Sequence, residues 1–389
     1  MATPTELQLI RSRGTNNTGK VSFIELFFDL IFVFAISQLS HTFLEDLSLE
    51  GLFRLVLLTM AVWWAWIFTA WVINWLNPET LKVQYLLIAL MLLGLVMSTS
   101  ITKAFESAGI FFAIGYVAFQ VGRTAFTVWM FRNGSAELRI NWVRILCWLS
   151  FSGVFWIAGG IAHESWRIAF WVIALVIDYI GPSLGFWLPR IGRTPTSVWD
   201  VEGAYMAERC GLFIIIALGE SILVTGANFV KLGWSPLSSA AFAISFISTV
   251  ALWRIYFIAT AKSGHHRIAH SSDPGRVARS GYTYTHLLLV IGIILTAVAG
   301  ELLLHHPTGH MDMKSALITV GGPVLFLVGN LIFMWIVNRA LPIPYLAGII
   351  LTAALLLISP WISLILLASL VAVVQLIVSV WAGRNANRA

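Results

Sequence analysis

Val21-Ser-Phe-Ile-Glu25-Leu-Phe-Phe-Asp29-Leu-Ile-Phe-Val-Phe-Ala-Ile-Ser-Gln38-Leu-Ser-His41 is a predominantly apolar stretch with two carboxylates near its start. On a 3.6-residue period its aliphatic and phenyl side chains cover every face, leaving no side for water. About 20 residues at ~1.5 Å each match the ~30 Å hydrocarbon layer of a bilayer. Glu25 and Asp29, four residues apart, share one stripe of that helix.

Similar stretches recur along all 389 residues, which are 59% hydrophobic and 11% charged, with 18 Trp and 25 Phe. Soluble domains carry about a quarter charged residues. The pattern predicts an all-α polytopic membrane protein with about 12 transmembrane helices, since no soluble core needs so many full-length apolar runs. Helices are expected at roughly 22–40, 52–74, 82–102, 109–131, 141–161, 167–188, 207–226, 236–260, 281–304, 315–337, 343–359 and 361–382. The breaks carry turn chemistry, as at Asn77-Pro78, Asn133-Gly134 and Asp273-Pro274-Gly275. The polar segment 1–20 lacks the apolar core of a secretory signal and reads as a disordered cytoplasmic tail.

Loop cations set the expected orientation. The side bearing the N-terminus holds 16 Lys and Arg, the opposite side 5. The positive-inside rule then places both termini in the cytoplasm of a plasma-membrane protein. The net charge of +6 follows from this bias and calls for no nucleic acid. Trp75, Trp142, Trp166, Trp234 and Tyr345 lie near helix ends, where interfacial belts form. Cys147 and Cys210 fall within helices and form no disulfide framework.

The two halves match in order. Val121-Gly-Arg-Thr-Ala-Phe126 before Arg132 parallels Val328-Gly-Asn-Leu-Ile-Phe333 before Arg339 at identical spacing. Glu25 pairs with Glu208, and Trp64 with Trp253. The expectation is two parallel six-helix repeats, 21–189 and 207–383, joined by a cytoplasmic linker at 190–206 and followed by a tail at 384–389.

Ionisable groups at membrane depth cost about 2.5–3.5 kcal/mol each on insertion scales, so their persistence points to a role. Glu25, Asp29, Gln38, Asp178, Glu208 and Glu220 are the candidate path or proton-binding groups. Arg123, Arg209 and Arg254 are their candidate charge partners. Equal depth pairs Asp29 with Arg123 and Glu208 with Arg254; Asp178 and Glu220 have no basic partner at theirs. Structural neutralisation of buried charge is the competing account of the two pairs. The histidines at 265, 266 and 270 and at 305, 306 and 310 read as solvated loops, and no metal, cofactor or nucleotide motif is found.

Val21 to His41, together with Glu208-Arg-Cys-Gly-Leu-Phe213-Ile-Ile-Ile-Ala-Leu-Gly219-Glu220-Ser221, resembles the two signatures of the bacterial low temperature requirement A (LtrA) family. The resemblance implies a many-helix membrane protein but no reaction. Glu25 with Phe28-Asp29 is also similar to the first-helix motif of potassium channels with a Phe-Ser-Asp signature and six-helix repeats. Phe28 stands where those channels have Ser, and Leu212 falls at the second Asp position.

These features favour a channel or secondary transporter for a small cation, proton or small solute, with the path lined by the first and seventh helices. Two other readings stand beside it. One is a membrane-embedded enzyme cyclising a lipid or isoprenoid by acid initiation. The other is a non-transporting stress or assembly factor. The expected partners are the bilayer, a small ion or solute and, by analogy, a second copy in a homodimer.

Overall fold

Every long stretch identified above is helical, because a backbone in lipid must satisfy its own hydrogen bonds. The computed structural model describes residues 11, 20–132, 136–194, 199, 201–261, 264, 268, 273–308 and 311–386. Among these, twelve long helices follow one another: α1 Phe23–Glu45, α2 Leu49–Trp75, α3 Leu81–Thr99, α4 Gly109–Met130, α5 Ala136–Ile161, α6 Glu164–Ile180, α7 Gly203–Leu232, α8 Pro236–Thr260, α9 Pro274–His305, α10 Met313–Asn338, α11 Ile343–Ile358 and α12 Leu364–Ala386. Eleven are long and apolar enough to cross a bilayer. The other, α6, has 17 residues and rises ~25 Å at ~1.5 Å per residue.

Two helix ends differ from expectation. α6 stops at Ile180 instead of 188, because Pro182 has no N–H to continue the ladder, and the chain then turns left-handed within an apolar run at Gly185 (φ 62°) and Phe186 (φ 49°). Hydropathy alone reads that run as helix. α7 extends from 203 to Leu232, beyond the expected 207–226, and ends where Gly233 takes φ 76°.

The chain forms two compact units. One comprises 1–39, 54–206 and 273–276; the other comprises 40–53, 207–272 and 277–389. In the first, α3, α4, α5 and α6 pack in chain order. In the second, α9–α10, α10–α11, α11–α12 and α8–α12 pack. Gly292 and Gly322 bring α9 and α10 backbone to backbone: a Cβ at either position would stand 2.8 Å from a main-chain nitrogen of the other helix. Small residues allow such close approach between helices in lipid.

Trp166 and Trp234 are exposed, as interfacial residues should be, but Trp142 and Tyr345 are buried. Tyr345 turns inward because its hydroxyl meets Thr260 Oγ1 at 2.9 Å. Cys147 is exposed and Cys210 buried. Most of segment 1–20, His265, His266, His270 and His310 lie outside the described residues. Arg11 does not behave as part of a disordered tail: its amide donates to Trp75 O (3.0 Å) and its guanidinium lies 4.0 Å above the Tyr205 ring.

Candidate functional site

One stripe of α4 carries Tyr116, Gln120 and Arg123, all at most 1% exposed. Their spacing of four and three residues stacks them on one face. Gln120 Nε2 donates to Tyr116 Oη (3.0 Å), and Tyr116 Oη donates to Asp178 Oδ2 on α6 (2.9 Å). Trp156 Nε1 on α5 donates to the same Oδ2 (3.2 Å). Phe112, Tyr116, Trp156 and Trp171 pack ring against ring here, with Tyr116 and Trp156 centroids 4.5 Å apart. Asp178 has no basic partner in hydrogen-bond contact, as its sequence depth suggested, but two neutral donors converge on one oxygen. Its Oδ1 and Gln120 Oε1 have no hydrogen-bond partner among the described residues.

Asp29 and Arg123 do not meet through a hydrogen bond, contrary to the expected pair. Both are gathered by one turn of α2. Trp66 Nε1 donates to Asp29 Oδ1 (2.8 Å), while Arg123 Nη1 donates to Ala65 O (3.1 Å) and Thr69 Oγ1 (3.2 Å). The reason is reach: the Thr69 hydroxyl and the Ala65 carbonyl face α4, and the rings of Phe68 (5.6 Å) and Phe119 (5.9 Å) hold the guanidinium between them. Arg123 Nε and Nη2 have no hydrogen-bond partner among the described residues.

Glu25 is taken up by the start of α1. Ser22 N and Oγ both donate to its Oε2 at 2.8 Å, and Tyr205 Oη donates to Oε1. This is a helix-start bond network of the capping type. Gln38 is half-buried. On α7 the expected burial is reversed at one step: Glu208 is exposed and Arg209 is buried, while Glu220 is buried as expected. Arg254 is half-buried where α8 passes from α-helix into a π-helical segment, Ile255–Thr260.

Sequence reasoning missed Tyr116, Gln120, Trp66, Thr69 and Trp156. Each is a neutral polar group that an apolar helix absorbs without a charge signal. It also missed the second unit's aromatic centre. A second π-helical segment, Ala278–Thr285, precedes His286 in α9. His286 Nδ1 lies 3.2 Å from Gly281 O, and a carbonyl only accepts, so Nδ1 carries the proton. Nε2 then accepts from Tyr256 Oη at 2.8 Å. Tyr282 stacks on the imidazole with centroids 5.1 Å apart. A histidine inside an otherwise apolar run is the signal that points to this place.

Fold and site together define a polytopic helical membrane protein with ionisable groups enclosed between its helices. The chain matches the bacterial low temperature requirement A protein (LtrA) family over residues 20–380 and belongs to that family. It is 38% identical over 372 residues to an uncharacterized protein of Rhizobium meliloti (strain 1021), covering 96% of this chain and 91% of that one. No solved structure matches.

Proposed function

We propose that the protein is a channel or secondary transporter for a small cation or proton, with Asp29, Arg123 and Asp178 as the charged groups of its first unit. The observation that carries this reading is incomplete satisfaction. Asp178 Oδ1, Gln120 Oε1 and two nitrogens of Arg123 are buried without a hydrogen-bond partner among the described residues. A purely structural ion site in lipid would be expected to satisfy every such atom, because each orphan costs roughly 1–3 kcal/mol. Open donors and acceptors on α4, facing Asp178 of α6, suit water or a passing ion. Asp178 holds Oδ2 on Tyr116 and Trp156, with the Ser152 hydroxyl also at its carboxyl, and is the group that would take and release a proton or touch a cation. Arg123 is the fixed positive charge on the α4 stripe whose Tyr116 holds Asp178. Glu220 and Arg209 are the corresponding buried charges of α7 in this reading.

The parallel duplication and the cytoplasmic placement of both termini belong to the same proposal. The ordered sequence matches support the first, and the 16-to-5 bias in loop cations supports the second.

Proteoliposomes containing the purified protein, loaded with a pH-reporting dye and challenged with H+, Na+ and K+ gradients, test the reading. Wild-type protein should collapse one of these gradients at least tenfold faster than empty vesicles. Asp178→Asn should lose that activity while eluting as a folded protein. Undiminished flux in Asp178→Asn, or none in wild type for any of the three, overturns the assignment.

A further inference from the structure

The carboxyl of Asp178 has one oxygen served and one not. Oδ2 accepts from Tyr116 Oη (2.9 Å) and Trp156 Nε1 (3.2 Å), whereas no donor meets Oδ1 among the described residues. The Ser152 hydroxyl of α5 stands at this carboxyl, yet its hydrogen goes to Leu149 O (3.1 Å). A hydroxyl has one hydrogen and two lone pairs and rotates to suit its neighbours. With Leu149 O and Asp178 both in reach, Ser152 can serve either protonation state. Turned to Asp178, it donates to a carboxylate. Turned to Leu149 O, it offers lone pairs to a carboxylic acid.

The same neighbours are unsuited to a metal ion. Hard cations are held by several oxygens at once. Trp156 N–H has no lone pair to give. The Tyr116 hydroxyl is bonded on both sides, accepting from Gln120 Nε2 (3.0 Å) and donating to Asp178. Phe112, Tyr116, Trp156 and Trp171 pack ring against ring beside them, and rings bring no oxygen ligand. A proton needs one lone pair and no such shell.

We infer that the ion bound at Asp178 is H+ and not Na+ or K+, and that Ser152 is the positioning residue that changes from donor to acceptor as the proton arrives. The inference deepens the transport reading and rests on it for the flux, though not for the binding. One bond is made. A proton from the aqueous side forms Oδ1–H and cancels the carboxylate charge; Ser152 keeps its own hydrogen, swings it to Leu149 O and accepts from Oδ1. Release reverses both. The other charged or titratable groups around the site are Tyr116 and Arg123 of α4, the latter acting through space, and Tyr179 of α6 itself. The Tyr179 hydroxyl is directed away, donating to Met60 O of α2 (3.0 Å).

Proteoliposomes test the flux, and infrared difference spectroscopy of the purified full-length protein tests the proton. Under equal gradients wild type should move H+ at least tenfold faster than radioactive Na+ or Rb+, the latter standing for K+. Acidification should raise a protonated-carboxyl C=O band that Asp178→Asn lacks. Ser152→Ala should change the frequency of that band and move the pH of its half-rise upward by about one unit or more, because the carboxylate loses a donor to its charge. Ser152→Thr keeps a hydroxyl and should restore both. Ser150→Ala, at an exposed position of the same helix, should leave both unchanged. Asp178-dependent flux of Na+ or Rb+ at the H+ rate overturns the inference and leaves the transport reading standing. Absence of an Asp178-dependent band, or a band and midpoint unmoved in Ser152→Ala, overturns it too. A wild type that moves no ion but shows the band fails the transport reading and keeps the proton site.

Discussion

Arg167→Met should destabilise the fold by about 3 kcal/mol or more. The Arg167 side chain, 8% exposed, ties the end of α5 to the turn between α3 and α4 in the first unit. Nε donates to Gly159 O (3.2 Å), Nη2 to Ala162 O (3.1 Å), and Nη1 to Ala104 O (3.1 Å) and Glu106 O (2.7 Å). Gly159 and Ala162 are at the C-terminal end of α5, where carbonyls lack helical donors; Ala104 and Glu106 belong to the turn between α3 and α4. Each bond to a charged donor contributes about 1.5–3 kcal/mol in isolation. Four would sum to roughly 6–12 kcal/mol, but carbonyls near the surface recover water and the terms share one side chain. Breaking a buried charged contact costs about 3–5 kcal/mol in practice, which sets the expected size. That corresponds to a change of about 100-fold or more in the unfolding equilibrium, at tenfold per 1.4 kcal/mol. Arg167→Lys should recover only part, because an ammonium places three donors at one point where the guanidinium spreads five over a plane. Gly109→Ala perturbs the same contact from the other side, since a Cβ there would stand 2.7 Å from Arg167 Cζ. Unfolding in mixed micelles of rising SDS fraction, followed by tryptophan fluorescence, measures all three. The reasoning fails if Arg167→Met unfolds within about 0.5 kcal/mol of wild type, or if Arg167→Lys is indistinguishable from it.

Two further outcomes follow from the packing and the helix start. Gly322→Leu should lose about 1–3 kcal/mol by overpacking the α9–α10 contact, read in the same unfolding assay. Glu25→Gln should cost about 1 kcal/mol as a weakened helix start yet leave proteoliposome flux unchanged; lost flux in a variant of normal stability would return Glu25 to the transport path.

The helical class, the number of helices and most of their positions were legible in the sequence. Twenty-residue apolar runs have one solution in lipid, and that solution depends on composition and not on partners. The buried charges were legible for the same reason: Asp29, Arg123, Asp178 and Glu220 are conspicuous against an apolar background, and all four are buried. Glu208 was equally conspicuous and is exposed, because which face of α7 is covered depends on packing and not on depth.

What only the tertiary structure decided is which groups meet. Equal depth put Asp29 opposite Arg123, but depth is one coordinate of three, and rotation about each helix axis supplies the others. That rotation turns Trp66 toward Asp29 and Ala65 with Thr69 toward Arg123, so that each charge is bonded by α2 and not by the other. It also turns Tyr116 and Trp156 onto Asp178. Neutral donors such as these carry no signal in composition or periodicity, and an apolar helix tolerates them anywhere. The π-helical segments on either side of the Tyr256–His286 contact belong to the same category. The sequence by itself determined that the chain lies in a membrane and that a few ionisable residues lie there with it. Side-chain direction, set by how twelve helices turn against their neighbours, decided which of those residues share a site.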